Sequence, residues 1–152
     1  MSTNGKADAA IHTVRITLPC VRNSVAEAMV LVEAFCRQHQ LASRDRIALL
    51  LIVDELIANT LLHGRSAPAA HIDLCLKKHA DHVIVVYSDH GVPFDPLHDL
   101  PRDSAERTLV ERFIGGIGWR LIRSYCQTIE YTRQEDTNRL TLTRVLQASK
   151  SE

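Results

Sequence analysis

The chain has 152 residues, enough for one domain with a proper core and too few for two comfortable ones. Its 18 basic and 18 acidic side chains balance, with no block of one sign, which excludes the positive field that nucleic acid or an anionic membrane demands. The four cysteines, Cys20, Cys36, Cys75 and Cys126, form no C-x-x-C pair and each lies in or beside an apolar segment, the usage of buried free thiols in a reducing cytosol.

Residues 1–10 are small and polar and read as a disordered tail. They lack the apolar core of a signal peptide, and no run nears the roughly 18 apolar residues of a membrane span, so a cytoplasmic protein is expected. A single domain is expected over 11–147. From Ile11, Val14, Ile16 and Leu18 alternate with Thr13, Arg15 and Thr17, the period of a half-buried strand, which Pro19 ends. Asn23 or Ser24 can cap a first helix, Glu27 completing the box if Ser24 is the cap, with Val25, Ala28, Met29, Val32, Phe35 and Cys36 facing inward.

A second helix runs from a Ser43 cap to Gly64, with Asp45 in the first turn where the helix dipole favours an anion. Ile47, Leu50, Leu51, Ala58 and Leu61 are expected to cover its core side. Strands over 71–77 and 82–88 follow as a hairpin about the turn 78–81. The eight histidines are scattered, and the nearest pair, His79 and His82, falls in that turn rather than in a ligand cluster. The stretch DHGVPFDP at 89–96 has the composition of a tight turn, and 97–114 reads as a long loop of the lid type with one helical turn around 105–113. Gly115-Gly116-Ile117-Gly118 opens a third helix carrying Trp119, Leu121, Ile122, Tyr125 and Cys126. Strands over 129–133 and 140–146 pair across the QEDTN turn. This order predicts an α+β fold: a two-layer sandwich whose mixed, mostly antiparallel sheet is covered on one face by about three helices.

Three polar patches stand out against this apolar pattern. Asp54, Glu55 and Asn59 lie inside the second helix, where burial without a purpose would cost several kcal/mol. Glu55 and Asn59, four apart, share a face, and a carboxylate beside an amide oxygen can handle a proton and a hard cation such as Mg2+. Asp89 sits where strand becomes loop, followed by Gly91. The glycine loop lets backbone amides approach an anion at the positive end of a helix dipole.

In this order and spacing, DELIANTLLHG resembles the N box, SDHGVPFDP the G1 box and GGIGWRLI the G2 box of the GHKL ATPase superfamily. The compact length and the ending YTRQEDTNRLTLTRVL narrow the resemblance to anti-sigma-factor serine/threonine kinases of the RsbW and SpoIIAB type. The resemblance implies ATP and Mg2+ as cofactors, with Asn59 as metal ligand and Glu55 as the general base that takes the proton of a serine hydroxyl. It implies that Asp89 accepts from the adenine amino group, that Gly91 lets the ring approach, and that Gly115, Gly116, Ile117 and Gly118 wrap the phosphates beneath the lid. His63, which ends the N box, is counted with them among the cofactor-binding residues, where it is expected to interact with the helix dipole rather than act as a catalytic base. Partners so implied are a STAS-type anti-anti-sigma protein, a sigma factor and a second copy of the chain. The alternative is a nucleotide-binding module that sequesters a partner and transfers nothing. Which of Thr137, Thr141 and Thr143 floors the adenine pocket stays open, as do any phosphate contacts of Arg65, Arg112, Arg120 and Arg123. Trp119 stands where relatives carry a smaller aliphatic residue and reads as a core aromatic.

Overall fold

Alternating apolar and polar residues can satisfy a strand only if one face is covered. The computed structural model, which describes residues 9–63, 70–97 and 117–148, covers that face with helices. The chain runs β1 (His12–Pro19), α1 (Ser24–Gln38), α2 (Ser43–His63), β2 (His71–Lys78), β3 (His82–Asp89), α3 (Ile117–Tyr125), β4 (Thr128–Gln134) and β5 (Thr137–Val145). The five strands form one sheet in the order β1-β2-β3-β5-β4, every described pairing antiparallel. The parallel element allowed for in a mixed sheet is therefore absent among the described residues.

Leu18, Ile72, Leu74, Leu76, Val83, Val85, Tyr87, Leu140 and Leu142 point under the helices and are buried. They meet Ala28, Val32, Phe35 and Cys36 from α1, Leu49, Ile52, Val53, Leu56 and Ile57 from α2, and Trp119 and Ile122 from α3. Each large aliphatic side chain taken from water here contributes about 1.5–3 kcal/mol before conformational entropy is charged against it. Trp119 is a core residue, as its sequence reading has it, with Phe94 tilted against it at 6.4 Å between ring centroids.

The core side of α2 corrects the sequence reading. Ala48, Leu49, Ile52, Val53, Leu56 and Ile57 are buried and Ile47 is 48% exposed; Leu50 and Leu61, half-buried, pack against the core as expected, and Leu51 and Ala58 are half-buried. The helix is apolar almost all round between Ile47 and Val53, so periodicity could not fix its rotation. The capping box also fails. Ser24 lies inside α1, and its hydroxyl donates to the Pro19 carbonyl oxygen at 2.5 Å, while Asn23, the cap, makes no side-chain capping bond. Ser43 is the first residue of α2 rather than the residue before it. The cysteines are free, with burial pushing the thiols of Cys36 and Cys126 up to about 11.

Candidate functional site

Helix α2 is long enough to carry polar groups at both ends of an apolar middle, and it delivers Glu55, Asn59 and Thr60 to the C-terminal end of β3. Thr60 is buried at 6% exposure and faces Asp89, its hydroxyl 3.0 Å from Oδ2. The Tyr87 hydroxyl lies 2.6 Å from Thr60 Oγ1. Burial pushes the Tyr87 phenol far above its ordinary range, so it keeps its proton; either hydroxyl can donate in this pair, and Tyr87 does so wherever Thr60 gives its own proton elsewhere. Thr60 has one proton to give, directed to Asp89 or to the Leu56 carbonyl at 3.2 Å.

The other oxygen of Asp89 is held from two further sides. Oδ1 accepts from the Gly91 amide and from Asn138 Nδ2, both at 2.9 Å. Asn138 stands opposite Asp89 in the β3–β5 register and is buried. Its Oδ1 accepts from the Tyr131 hydroxyl at 2.6 Å and from Arg133 Nη1 at 3.0 Å, while Nδ2 also donates to the Val92 carbonyl at 2.9 Å, a set of partners that fixes which way the amide points. Arg133 donates to the Gly91 carbonyl as well, at 2.8 Å. The loop after β3 is thus pinned from β4 and β5. None of the described glycines has positive φ, so Gly91 supplies space for close approach rather than a left-handed turn.

Asn138 is the site residue that sequence reasoning missed. The expected last strand began at Leu140, which left Asn138 in a turn; β5 begins at Thr137, and the tight connection is made by Glu135, at φ 53°, and Asp136. Along β5, Asn138, Leu140 and Leu142 turn under the helices, and Thr137, Thr141 and Thr143 turn to the other face. The threonine that reaches Asp89 is Thr60.

Glu55 lies half-buried on α2, its carboxylate against the first turn of α3. A methyl group on Gly118 would stand 2.0 Å from Glu55 Oε2, so only glycine leaves the carboxylate its place. Burial, reinforced by the neighbouring Asp54 charge, raises the Glu55 carboxyl above its ordinary 4.5. One turn further along α2, the Asn59 side chain buries Nδ2 without a hydrogen-bond partner among the described residues. A buried amide atom with nothing to bond costs about 1–3 kcal/mol, a penalty that a ligand atom placed there would relieve. Turned by 180°, a carboxamide keeps its shape and presents oxygen there instead, a hard donor that suits Mg2+.

Of the expected set, Glu55 lies against Gly118 and Asp89 bonds the Gly91 amide, while Asn59 precedes Thr60, whose hydroxyl reaches Asp89. Gly115 and Gly116, Arg65 and Arg112, the lid over 98–114 and the tail over 1–8 lie outside the described residues. His63 is the last residue of α2 and Ile117 the first of α3. Arg123 donates to the Pro96 carbonyl at 3.1 Å, tying α3 to the loop after β3.

The histidine kinase-like ATPase domain family matches residues 19–144. The chain is 30% identical over 130 residues to the serine/threonine-protein kinase BtrW of Bordetella bronchiseptica, covering 84% of this chain and 90% of that one. Its fold is similar to the structure of RsbU and RsbW domains from Mycobacterium tuberculosis, with TM-score 0.60, 12% identity, and 89% of this chain against 32% of that one. It is similar also to the SiaB–SiaC complex of Pseudomonas aeruginosa, with TM-score 0.61, 11% identity, and 91% and 92% coverage.

Proposed function

The chain belongs to the histidine kinase-like ATPase domain family, and on that premise we propose that it is an ATP-dependent protein serine kinase of the RsbW type acting as an anti-sigma-type regulator. Its substrate would be a serine of a STAS-type antagonist protein, its second partner a sigma factor. The observation that carries this reading is the pairing on α2 of a carboxyl group whose pKa burial raises with an amide nitrogen, one turn away, that has no partner among the described residues.

Each residue has a chemical task. Asp89 carries three hydrogen bonds from the protein, and a carboxylate has capacity for about four, which leaves room for an adenine amino group. Val92 and Phe94, on the loop after Asp89, are 46% and 38% exposed and offer apolar surface to a purine. Asn59 would hold Mg2+, which when bound to ATP offsets charge on the phosphate oxygens. Glu55 takes the proton as the serine oxygen bonds to the γ-phosphorus and the bond to the β–γ bridging oxygen breaks. A raised carboxyl pKa brings a base closer to the operating pH and makes it a stronger proton acceptor once ionised. The amides opening α3, with the glycines before it, would face the phosphates.

A sequestering module that binds nucleotide without transfer would not need Glu55. Incubation with labelled ATP, Mg2+ and a panel of STAS-type proteins separates the two. The kinase reading expects phosphoserine on one of them, lost in Glu55→Ala; nucleotide binding with no transfer to any would favour the sequestering module. A second copy of the chain is a further proposed partner, supported by the exposed Ile11, Val21 and Val30 around β1 and α1, and sedimentation velocity tests it.

A further inference from the structure

On β2, Ile72 and Leu74 turn under the helices, so His71 and Asp73 project from the opposite face of the sheet. There they meet His90, the residue between Asp89 and Gly91. His71 Nε2 lies 3.2 Å from His90 Nε2 and 3.3 Å from Asp73 Oδ2, and one donor atom from each of the three residues falls within 4.8 Å of the others. We propose that His71, Asp73 and His90 form a binding site for a divalent transition ion of the zinc type, separate from the nucleotide site on the helix-covered face.

Two imidazoles and a carboxylate are a ligand set that suits zinc and excludes magnesium as the preferred ion. An ion about 2.0–2.1 Å from each ligand atom in a tetrahedral array holds those atoms roughly 3.3 Å apart, which the two measured separations match. The surrounding groups aim the free lone pairs inward. Thr137 Oγ1 lies 3.3 Å and Asp136 Oδ1 3.7 Å from His90 Nδ1, acceptors that would hold the ring proton on Nδ1 when an ion takes Nε2. Thr17 donates its hydroxyl to Asp73 Oδ1 at 2.6 Å, which leaves Oδ2 toward His71. The His71 and Asp73 side chains are 45% and 48% exposed, so an ion can enter from solvent and complete its shell with water. Held there, it would tie the start of β2 to the backbone shared by Asp89 and Gly91.

The test is calorimetric titration of the chelator-treated full chain with Zn2+ at pH 7.5, without nucleotide, so that it succeeds or fails independently of the kinase reading. One ion per chain is expected, with a rise in Tm on binding. His90→Ala and Asp73→Asn should each weaken binding about a hundredfold, and Thr137→Val about tenfold, the range of outer-partner losses. Asp73→Asn keeps the side chain's shape and covers the case in which His90→Ala does not fold. His82→Ala, which removes the His82–Asp81 pair at the other end of the hairpin, should leave affinity unchanged. No saturable binding, undiminished binding in Asp73→Asn, or equal loss in His82→Ala would overturn the site, leaving a histidine pair that hydrogen-bonds in place of a ligand.

Discussion

The two ends of α2 treat charge in opposite ways. At the first turn Asp45, 1% exposed, accepts from Arg144 Nε at 3.0 Å and from the Gln147 amide at 3.1 Å, with Arg144 Nη2 2.9 Å from Oδ1 in the ion pair. Arg144 also donates to the Tyr125 carbonyl at 2.8 Å and stacks over the Tyr125 ring. Every group there has a partner, and the pair clamps α2 to the end of β5 and to α3. At the other end burial raises the Glu55 carboxyl pKa and Asn59 buries an amide nitrogen with no partner among the described residues. A satisfied buried ion pair holds geometry; a buried polar atom without a partner keeps its bonding capacity for something else.

Glu55→Gln should separate the ends most sharply. Loss of the base lowers phosphoryl transfer about 10²–10⁴-fold in a labelled-ATP assay. Stability should move the other way. Because the folded pKa is raised, the carboxyl contributes stability at low pH that is lost as pH rises from the unfolded value through the folded one, so the glutamine variant is the more stable at neutral pH. Transfer by the native chain should rise with pH through that folded value, above the ordinary carboxylate range. An unchanged transfer rate in Glu55→Gln would remove the base from the account.

Arg144→Ala strips the closed end. It leaves Asp45 buried and uncompensated, and should cost about 3–5 kcal/mol in urea unfolding. Asn138→Ala removes the amide that holds Asp89 and the Val92 carbonyl; it should cost about 1–3 kcal/mol of stability and weaken ATP binding, with Thr141→Ala as a neutral control on the far face. Gly118→Ala should have the smallest effect on stability, because a methyl there pushes aside the end of a flexible side chain, and alanine is favoured over glycine in a helix by about 1 kcal/mol. Transfer should nevertheless fall, since the displaced atom is the carboxylate of Glu55. A fully active Gly118→Ala would show that the packing of Glu55 on α3 is incidental.

Much of this was legible in the sequence, because alternation at β1, β2 and β3 and the boxes around Asn59, Asp89 and Gly118 are local patterns. The rotation of α2 was not, since a helix apolar on nearly every side gives no phase. Asn138 was hidden by a three-residue error in the start of β5, which moved it out of register with Asp89. Thr60 reads as one more polar residue until the fold sets it beside Asp89. The His71, Asp73 and His90 cluster depends on strand register, which spacing along the chain does not reveal.

Titration calorimetry of ATP with and without Mg2+, on the native chain and on Asn59→Ala, tests most directly whether the open end of α2 is a nucleotide site. The account predicts Mg2+-dependent binding to the native chain and its loss in the variant. No heat of association with the native chain, or the same Mg2+-dependent affinity in Asn59→Ala, would contradict it.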